Sequence, residues 1–172
     1  TSLAELALWE GRPDDALRRL RTAIPLIDFS PEVRLGEMYG LGIRAAADQA
    51  ELARARRAAD DEAIAVETGD TLLAAIRQRH ATVLVERPVY GWLSEAWLGW
   101  CEAEGTRLHR AADPDAWRSA IAAWAPVTHP AMTAYLHFRE AEALLASRGE
   151  RTAAAAALAT ARRIADAIGS VP

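Results

Sequence analysis

Apolar residues recur at helical spacing from one end of the chain to the other. Eight such segments are separated by glycine, proline and polar residues, which start and stop helices. The predicted helices cover residues 2–10, 13–25, 31 to beyond 50, 61–79, 89–110, 114–125, 130–148 and 151–168. The pattern therefore predicts an all-α protein of about eight antiparallel helices.

The helical stripes also predict which side chains face the core. Leu3 and Leu6 fall on the stripe of the first helix, and Phe138 and Leu145 on that of the seventh. The fifth helix is apolar almost all round, which is typical of a buried central helix.

Residues 80–88 interrupt the helical pattern. The run from Thr82 to Val85 is β-like, and Pro88 follows it. Because one short strand cannot form a sheet alone, we interpret the segment as an extended connector between two halves of the chain.

The third helix contains Gly36, Gly40 and Gly42. Glycine inside a helix costs roughly 1 kcal/mol relative to alanine. Two interpretations stay open, a close approach of a neighbouring helix or a kink.

Two interhelix turns share one spacing of small residues. The first consists of Gly11, Ala16, Leu20 and Ala23, and the second of Gly149, Ala154, Leu158 and Ala161. In both, the successive spacings are five, four and three residues. The glycine allows a tight turn, and the alanines let two helices approach closely. This motif resembles the second half of a tetratricopeptide repeat. The resemblance implies a single helical-repeat domain over 1–172, an α-α superhelix of helix-turn-helix pairs at about 1–26, 31–79, 89–125 and 129–169.

Composition supports helices and narrows the chemistry. The chain has forty alanines and nineteen leucines but only fifteen valines and isoleucines, which excludes a mostly β fold.

The charge of the chain does not favour DNA binding. Its net charge is −4, whereas a DNA-binding domain usually carries a basic surface, and all twenty of its basic side chains are arginine. Without lysine, Schiff-base chemistry and a phosphate-binding P-loop are excluded. No transmembrane or signal-peptide pattern occurs, so we expect a cytoplasmic protein without membrane contact.

The residue types used in catalysis and metal binding lack the spacing that those functions need. His80, His109, His129 and His137 do not recur at helical metal-ligand spacing, so we expect no metal site. Cys101 lies in an apolar stripe and is interpreted as a packing residue.

Two pairs of carboxylates, Glu102 with Glu104 and Glu140 with Glu142, fall on different helical faces. General acid–base catalysis needs two groups converging on one pocket, so we interpret these glutamates as solvated. We therefore expect no enzymatic activity and no cofactor in this chain.

Five of the six tryptophans fall between Trp92 and Trp124, on two successive predicted helices. They form either the shared core of the third helix pair or, in part, anchors in a binding groove. In a tetratricopeptide-like array the first helix of each pair lines the concave face. The candidate groove residues are Glu5, Arg44, Trp92 and Arg139.

Longer segments resemble the helical-repeat region of large actinobacterial LuxR-type transcriptional regulators that carry an AAA/STAND ATPase module. The resemblance is carried by residues 3–20, by 113–162 with Trp117, Trp124 and the run 139–145, and by the ending 164–172. In that family an ATPase precedes the repeats, and a helix-turn-helix domain follows them.

The resemblance implies a non-catalytic regulatory domain that binds a protein partner or a small effector. ATP and DNA would bind only to the missing modules of the parent protein, because this chain has no G-x-x-x-x-G-K-[ST] motif. The alternative is a scaffold or dimerisation module, a free-standing adaptor that forms a homodimer through its last helix, where Ala153–Ala157 allow close packing.

Overall fold

A computed structural model of the chain describes residues 2–26, 32–148 and 151–169. These residues form eight α-helices and two short 3-10 turns and contain no β-strand, which confirms the predicted all-α fold. The elements are α1 (Ser2–Trp9), α2 (Pro13–Ala23), a 3-10 turn (Ile24–Leu26), α3 (Glu32–Arg56), α4 (Ala59–Glu86), a 3-10 turn (Pro88–Tyr90), α5 (Gly91–Leu108), α6 (Pro114–Trp124), α7 (Pro130–Ala146) and α8 (Arg151–Ala167). None of the described helices is both long enough and apolar enough to cross a membrane.

Side-chain caps begin two of the helices. Asp113 Oδ1 accepts hydrogen bonds from two backbone N–H groups in the first turn of α6, at 3.0 and 3.2 Å. His129 Nδ1 accepts one from the first turn of α7 at 3.1 Å.

Gly11 has a φ of +68°, a conformation that glycine adopts without strain, and it forms the turn between α1 and α2. Gly149, predicted to form the equivalent turn, lies outside the described residues.

The predicted extended connector is wrong, because α4 continues as a helix to Glu86. Val83 is only 4% exposed, so its burial outweighs the weak preference of β-branched residues for strands. Pro88 lacks the N–H group that a helix would need, and it begins the 3-10 turn that leads into α5.

The helices form two compact units, Thr1–Arg110 and Ala111–Pro172. In the first unit α3 contacts α2, α4 and α5 and so lies at its centre. One apolar cluster joins α3, α4 and α5 and contains Leu35, Tyr39, Ile43, Leu73, Ile76 and Cys101. A second cluster joins the same three helices further along α3 and contains Ala46, Ala47, Ala50, Ala65 and Leu108.

The close approach of α5 explains two of the three glycines of α3, Gly36 and Gly40. A Cβ atom at Gly36 would overlap the side chain of Trp97, and one at Gly40 would overlap the ring of Trp100. Both tryptophans are buried, and their rings lie 5.8 Å apart. Of the two interpretations of these glycines, the structure therefore supports the neighbouring helix.

In the second unit α7 contacts both α6 and α8. Trp117 and Trp124 of α6 are each 1% exposed. The ring of Trp117 meets that of Tyr135 edge-on at 6.4 Å, and the ring of Trp124 meets that of His129 at 5.9 Å. The buried tryptophans are thus divided between the two units, with Trp97 and Trp100 in the first and Trp117 and Trp124 in the second.

The boundary between the units falls between Arg110 and Ala111, inside the predicted helix pair 89–125. On either side of it, α5 contacts α3 and α4, and α6 contacts α7. The helix pairing, the superhelix and the single repeat domain over 1–172 remain predictions.

Several side chains predicted to face the core are exposed. Leu3 and Leu6 are 63% and 50% exposed, and Phe138 and Leu145 are 41% and 60% exposed. The buried residues of α1 and α7 are Ala4, Ala7, Leu8, Tyr135, Leu136, Ala141, Ala143 and Leu144. These helices are apolar on more than one side, so periodicity alone did not select the buried stripe.

We expect Gly40→Ala to lower the free energy of unfolding by about 1–3 kcal/mol, because the new methyl group overlaps the buried Trp100 ring. Urea unfolding followed by circular dichroism measures this change. Gly42→Ala, in the same helix, is the matched control. Its Cβ would meet the end of a flexible side chain, Leu72 Cδ1, at 2.9 Å, and alanine gains roughly 1 kcal/mol of helix propensity. Equal losses in the two variants would contradict the interlocking of α3 with α5.

Candidate functional site

The four candidate groove residues lie on four different helices. Glu5 is exposed on α1, and Arg44 is buried on α3. Trp92 is exposed at the start of α5, and Arg139 lies on α7, in the second unit. Their surroundings differ, and the groove itself remains a prediction.

Arg44 is buried, with 6% of its surface exposed. Its guanidinium carbon lies 4.8 Å from the ring centroid of Trp9, within cation–π distance. Trp9 is itself 66% exposed, so its ring covers the cation from the solvent side. This contact joins α1 to α3, which gives Arg44 a structural role.

Arg139 is held by neighbours on its own helix. Its Nε donates to the Tyr135 hydroxyl at 3.0 Å, and its Nη1 forms an ion pair with Glu142 at 2.7 Å. Glu140, predicted to be solvated, has a side chain only 13% exposed and pairs with Arg118 of α6 at 3.1 Å. Glu140 therefore joins α7 to α6, whereas Arg139 pairs within α7.

Trp92 is one of five large apolar side chains within residues 84–92 that are exposed. We name this group the apolar corner, and its residues are Leu84, Val85, Val89, Tyr90 and Trp92. Their exposed fractions range from 46% for Tyr90 to 82% for Val85. The corner includes the end of α4, the 3-10 turn and the start of α5.

Buried neighbours hold the apolar corner in place. Val83 and Gly91 are buried, and a Cβ at Gly91 would lie 3.2 Å from Leu84 Cδ2, so Leu84 lies directly over the glycine. His80 Nδ1 and Ser94 Oγ, 3.0 Å apart, form a hydrogen bond between α4 and α5. The exposed side chains are therefore carried by two helices that are fixed to each other.

Glu104 contradicts the interpretation of Glu102 and Glu104 as a solvated pair, because Glu104 is fully buried. Its carboxylate accepts a hydrogen bond from Trp100 Nε1 at 3.1 Å and pairs with Arg107 Nη1 at 2.6 Å. A buried carboxylate needs such partners, since an unpaired buried charge costs several kcal/mol.

Arg107 connects this buried carboxylate to α3. Its Nη2 lies 2.6 Å from Asp48 and 2.9 Å from Glu51. Its own side chain is only 10% exposed. One guanidinium thus contacts three carboxylates from two helices, in agreement with the fork geometry of arginine.

A second arginine holds the C-terminal end of α5. Arg54 Nη1 donates to the backbone carbonyl of Arg107 at 3.0 Å, and Arg54 Nη2 donates to that of Leu108. Glu62 of α4 accepts from Arg54 Nε at 2.7 Å and from Arg110 Nε at 2.9 Å. The arginine thereby adds side-chain donors to two carbonyls at the C-terminal end of the helix.

These contacts depress the pKa of Glu62. The hydrogen bond from Arg110 has the largest effect, that from Arg54 the next, and together they lower the pKa to about 2. The ionised carboxylate is therefore the form that the fold stabilises.

Sequence reasoning missed this ionic network. Within α3, Asp48, Glu51 and Arg54 follow one another at spacings of three residues, which indicates a charged side of the helix. Their partner Arg107 lies more than fifty residues further along the chain, so no spacing rule connects them.

Cys101 is buried in the core of the first unit, as its stripe predicted. Burial raises the pKa of its thiol well above the ordinary value. Among the residues that the structure describes, no group of three histidine, cysteine or acidic side chains is placed to hold a metal ion.

Comparison of the chain with protein-family models, with curated proteins and with solved structures finds no match.

We expect Arg107→Met to lower the free energy of unfolding by about 3–5 kcal/mol, because it leaves Glu104 buried without its cation. Chemical unfolding of the variant and the wild type measures the loss. Arg77→Met is the matched control, since the pair between Arg77 and Glu102 is solvent-exposed and should contribute less than about 1 kcal/mol. A loss below that of the control would show that Arg107 is not needed to neutralise Glu104.

The Glu62 carboxylate makes a pH-dependent contribution to stability. Its pKa is about 2 when folded and near 4.5 ordinarily, so the contribution is complete above 4.5 and is lost as the pH falls towards 2. We expect Glu62→Gln to lower the melting temperature at pH 7 and to differ little from wild type near pH 2. Melting curves between these limits measure the difference, with Glu67→Gln, an exposed glutamate of the same helix, as control. A constant difference across the range would contradict the role of the ionised carboxylate.

Proposed function

We propose that this chain is a non-catalytic, cytoplasmic helical module that binds a protein partner through the apolar corner. The observation that carries the proposal is the exposure of its five large apolar side chains, each at least 46% exposed. Contiguous exposed apolar surface is typical of interaction sites, and aromatic residues dominate binding hot spots. Tyr90 and Trp92 would be the anchors.

The exposure of the corner favours a protein partner over a small effector. Small-molecule sites are concave and bury most of the ligand. The side chains of the corner instead project from two helix ends and a turn, with Val85 82% and Val89 72% exposed. Such a surface suits a partner that covers several side chains at once.

We further propose that the module belongs to a LuxR-type transcriptional regulator with an AAA/STAND ATPase. The support is the sequence resemblance of residues 3–20, 113–162 and 164–172. A partner bound at the corner would contact both α4 and α5, and it would favour one packing of the helical array over others. That population shift would bias the ATPase and the DNA-binding modules of the parent protein.

The second candidate is a scaffold or dimerisation module. Leu158, in the alanine-rich helix α8, is 49% exposed. An exposed leucine among alanines allows close packing against another helix, which supports self-association through this end of the chain.

Photo-crosslinking in the source cell tests binding at the apolar corner. With a benzophenone amino acid in place of Trp92, we expect a covalent adduct with one partner protein. Val89→Asp in the same chain should abolish the adduct, and it should weaken binding of the purified partner at least about tenfold. Benzophenone at Ile64, an exposed apolar residue near the start of α4, is the matched control.

Identical adducts from positions 92 and 64, or an adduct that survives Val89→Asp, would contradict the proposed surface. An immunoblot of untreated source cells with an antibody against this chain gives the mass of the native protein. A product several times heavier than 18.6 kDa would support the regulator proposal, and a product of this mass would contradict it.

A further inference from the structure

Two exposed carboxylates flank the apolar corner. Glu86 follows Val85 as the last residue of α4, and Glu95 lies one turn after Trp92 on the same side of α5. Both glutamates are exposed, and neither has an ion-pair or hydrogen-bond partner among the described residues. The corner therefore combines apolar side chains with two carboxylates that are open to a binding partner.

The cations of α4 near the corner are already engaged. Arg77 donates to both carboxylate oxygens of Glu102, each at 2.6 Å. Arg79 and Arg87 each have an interaction of their own, and His80 is hydrogen-bonded to α5. Among the described residues, the charges at the corner that lack a partner are therefore negative.

The position of Glu86 strengthens this negative field. A helix C-terminus carries a partial negative charge and favours basic side chains, yet the last turn of α4 contains none and ends in a glutamate. A carboxylate is unfavourable there for the helix itself. A cation supplied by a binding partner would be attracted by both the carboxylate and the helix end.

We propose that the partner of the apolar corner is a basic amphipathic segment of a protein, with apolar side chains flanked by arginine or lysine. Its apolar side chains would pack on Tyr90 and Trp92, and its cations would lie near Glu86 and Glu95. The inference rests on the proposed function, because it specifies the partner of the same surface. The two carboxylates disfavour nucleic acids and anionic membranes, since both of these present negative charge.

Titration calorimetry of the full chain with two helical peptides tests the charge of the partner. The peptides share one leucine-rich side, which arginines flank in the first peptide and glutamates in the second. We expect the arginine peptide to bind at least about threefold more tightly, as two exposed charge pairs allow. High salt should reduce this preference by screening. Equal binding of the peptides, or no binding of the arginine peptide up to about 1 mM, would overturn the inference.

Glutamine substitutions test whether these two carboxylates select the peptide. Glu86→Gln combined with Glu95→Gln should remove most of the preference, because it removes both charges and leaves the apolar side chains in place. Asp61→Asn combined with Glu67→Gln is the matched control, since it removes two exposed charges from α4 outside the corner. An unchanged preference in the first variant, or an equal loss in the control, would contradict the assignment.

Val89→Asp separates this inference from the proposed function. Val89 is 72% exposed, so the substitution leaves the core unchanged, and circular dichroism verifies the fold. We expect both peptides to bind at least about tenfold more weakly. Unchanged binding would show that the peptides bind elsewhere and would overturn both proposals. Weaker but equal binding of the two peptides would retain the corner as a docking surface and overturn only the basic partner.

Co-sedimentation with vesicles of phosphatidylcholine and phosphatidylserine tests a lipid surface as the occupant. We expect the chain to remain in the supernatant, because the carboxylates repel the anionic headgroups. Sedimentation with the vesicles that Val89→Asp abolishes would overturn the inference and assign the corner to a membrane surface.

Discussion

The close approach of α5 to α3 is the constraint on which the first unit depends. Trp97 and Trp100 occupy space that any side chain at Gly36 and Gly40 would fill. The two helices can therefore approach closely only where glycine is present, and the large rings then occupy the space that side chains would take. The conformational cost of glycine within a helix is offset by the apolar surface that the tryptophans bury.

The contact determines the position of α5 and hence of its charged residues. Glu104 follows Trp100 by one turn, so burying the tryptophan also buries the carboxylate, which its indole N–H stabilises. Arg107, another turn on, then lies beside α3 and completes the neutralisation. A polar network of this kind tolerates little displacement, because each buried charge depends on the geometry of its partner.

The same packing leaves two kinds of surface uncovered. At the other end of α5, the helix begins immediately after a turn whose apolar side chains are exposed, whereas Val83 before the turn and Gly91 after it are buried. On α1 and α8, each helix packs on one side and exposes leucines on the other. The apolar corner is thus a consequence of where the core ends.

Sequence by itself determined the helical content, the starts of α6 and α7 at Pro114 and Pro130, the buried role of Cys101, and the presence of a constraint at the glycines of α3. These properties depend on residues within a few turns of each other, where propensity and hydrogen bonding act locally. Only the tertiary structure decided that residues 80–86 extend α4, that Leu3 and Leu6 face outwards, that Glu104 is buried, and that Arg44 lies under Trp9. Each of these outcomes is set by a neighbour distant in the chain, and a side chain becomes core or surface only when that neighbour covers it.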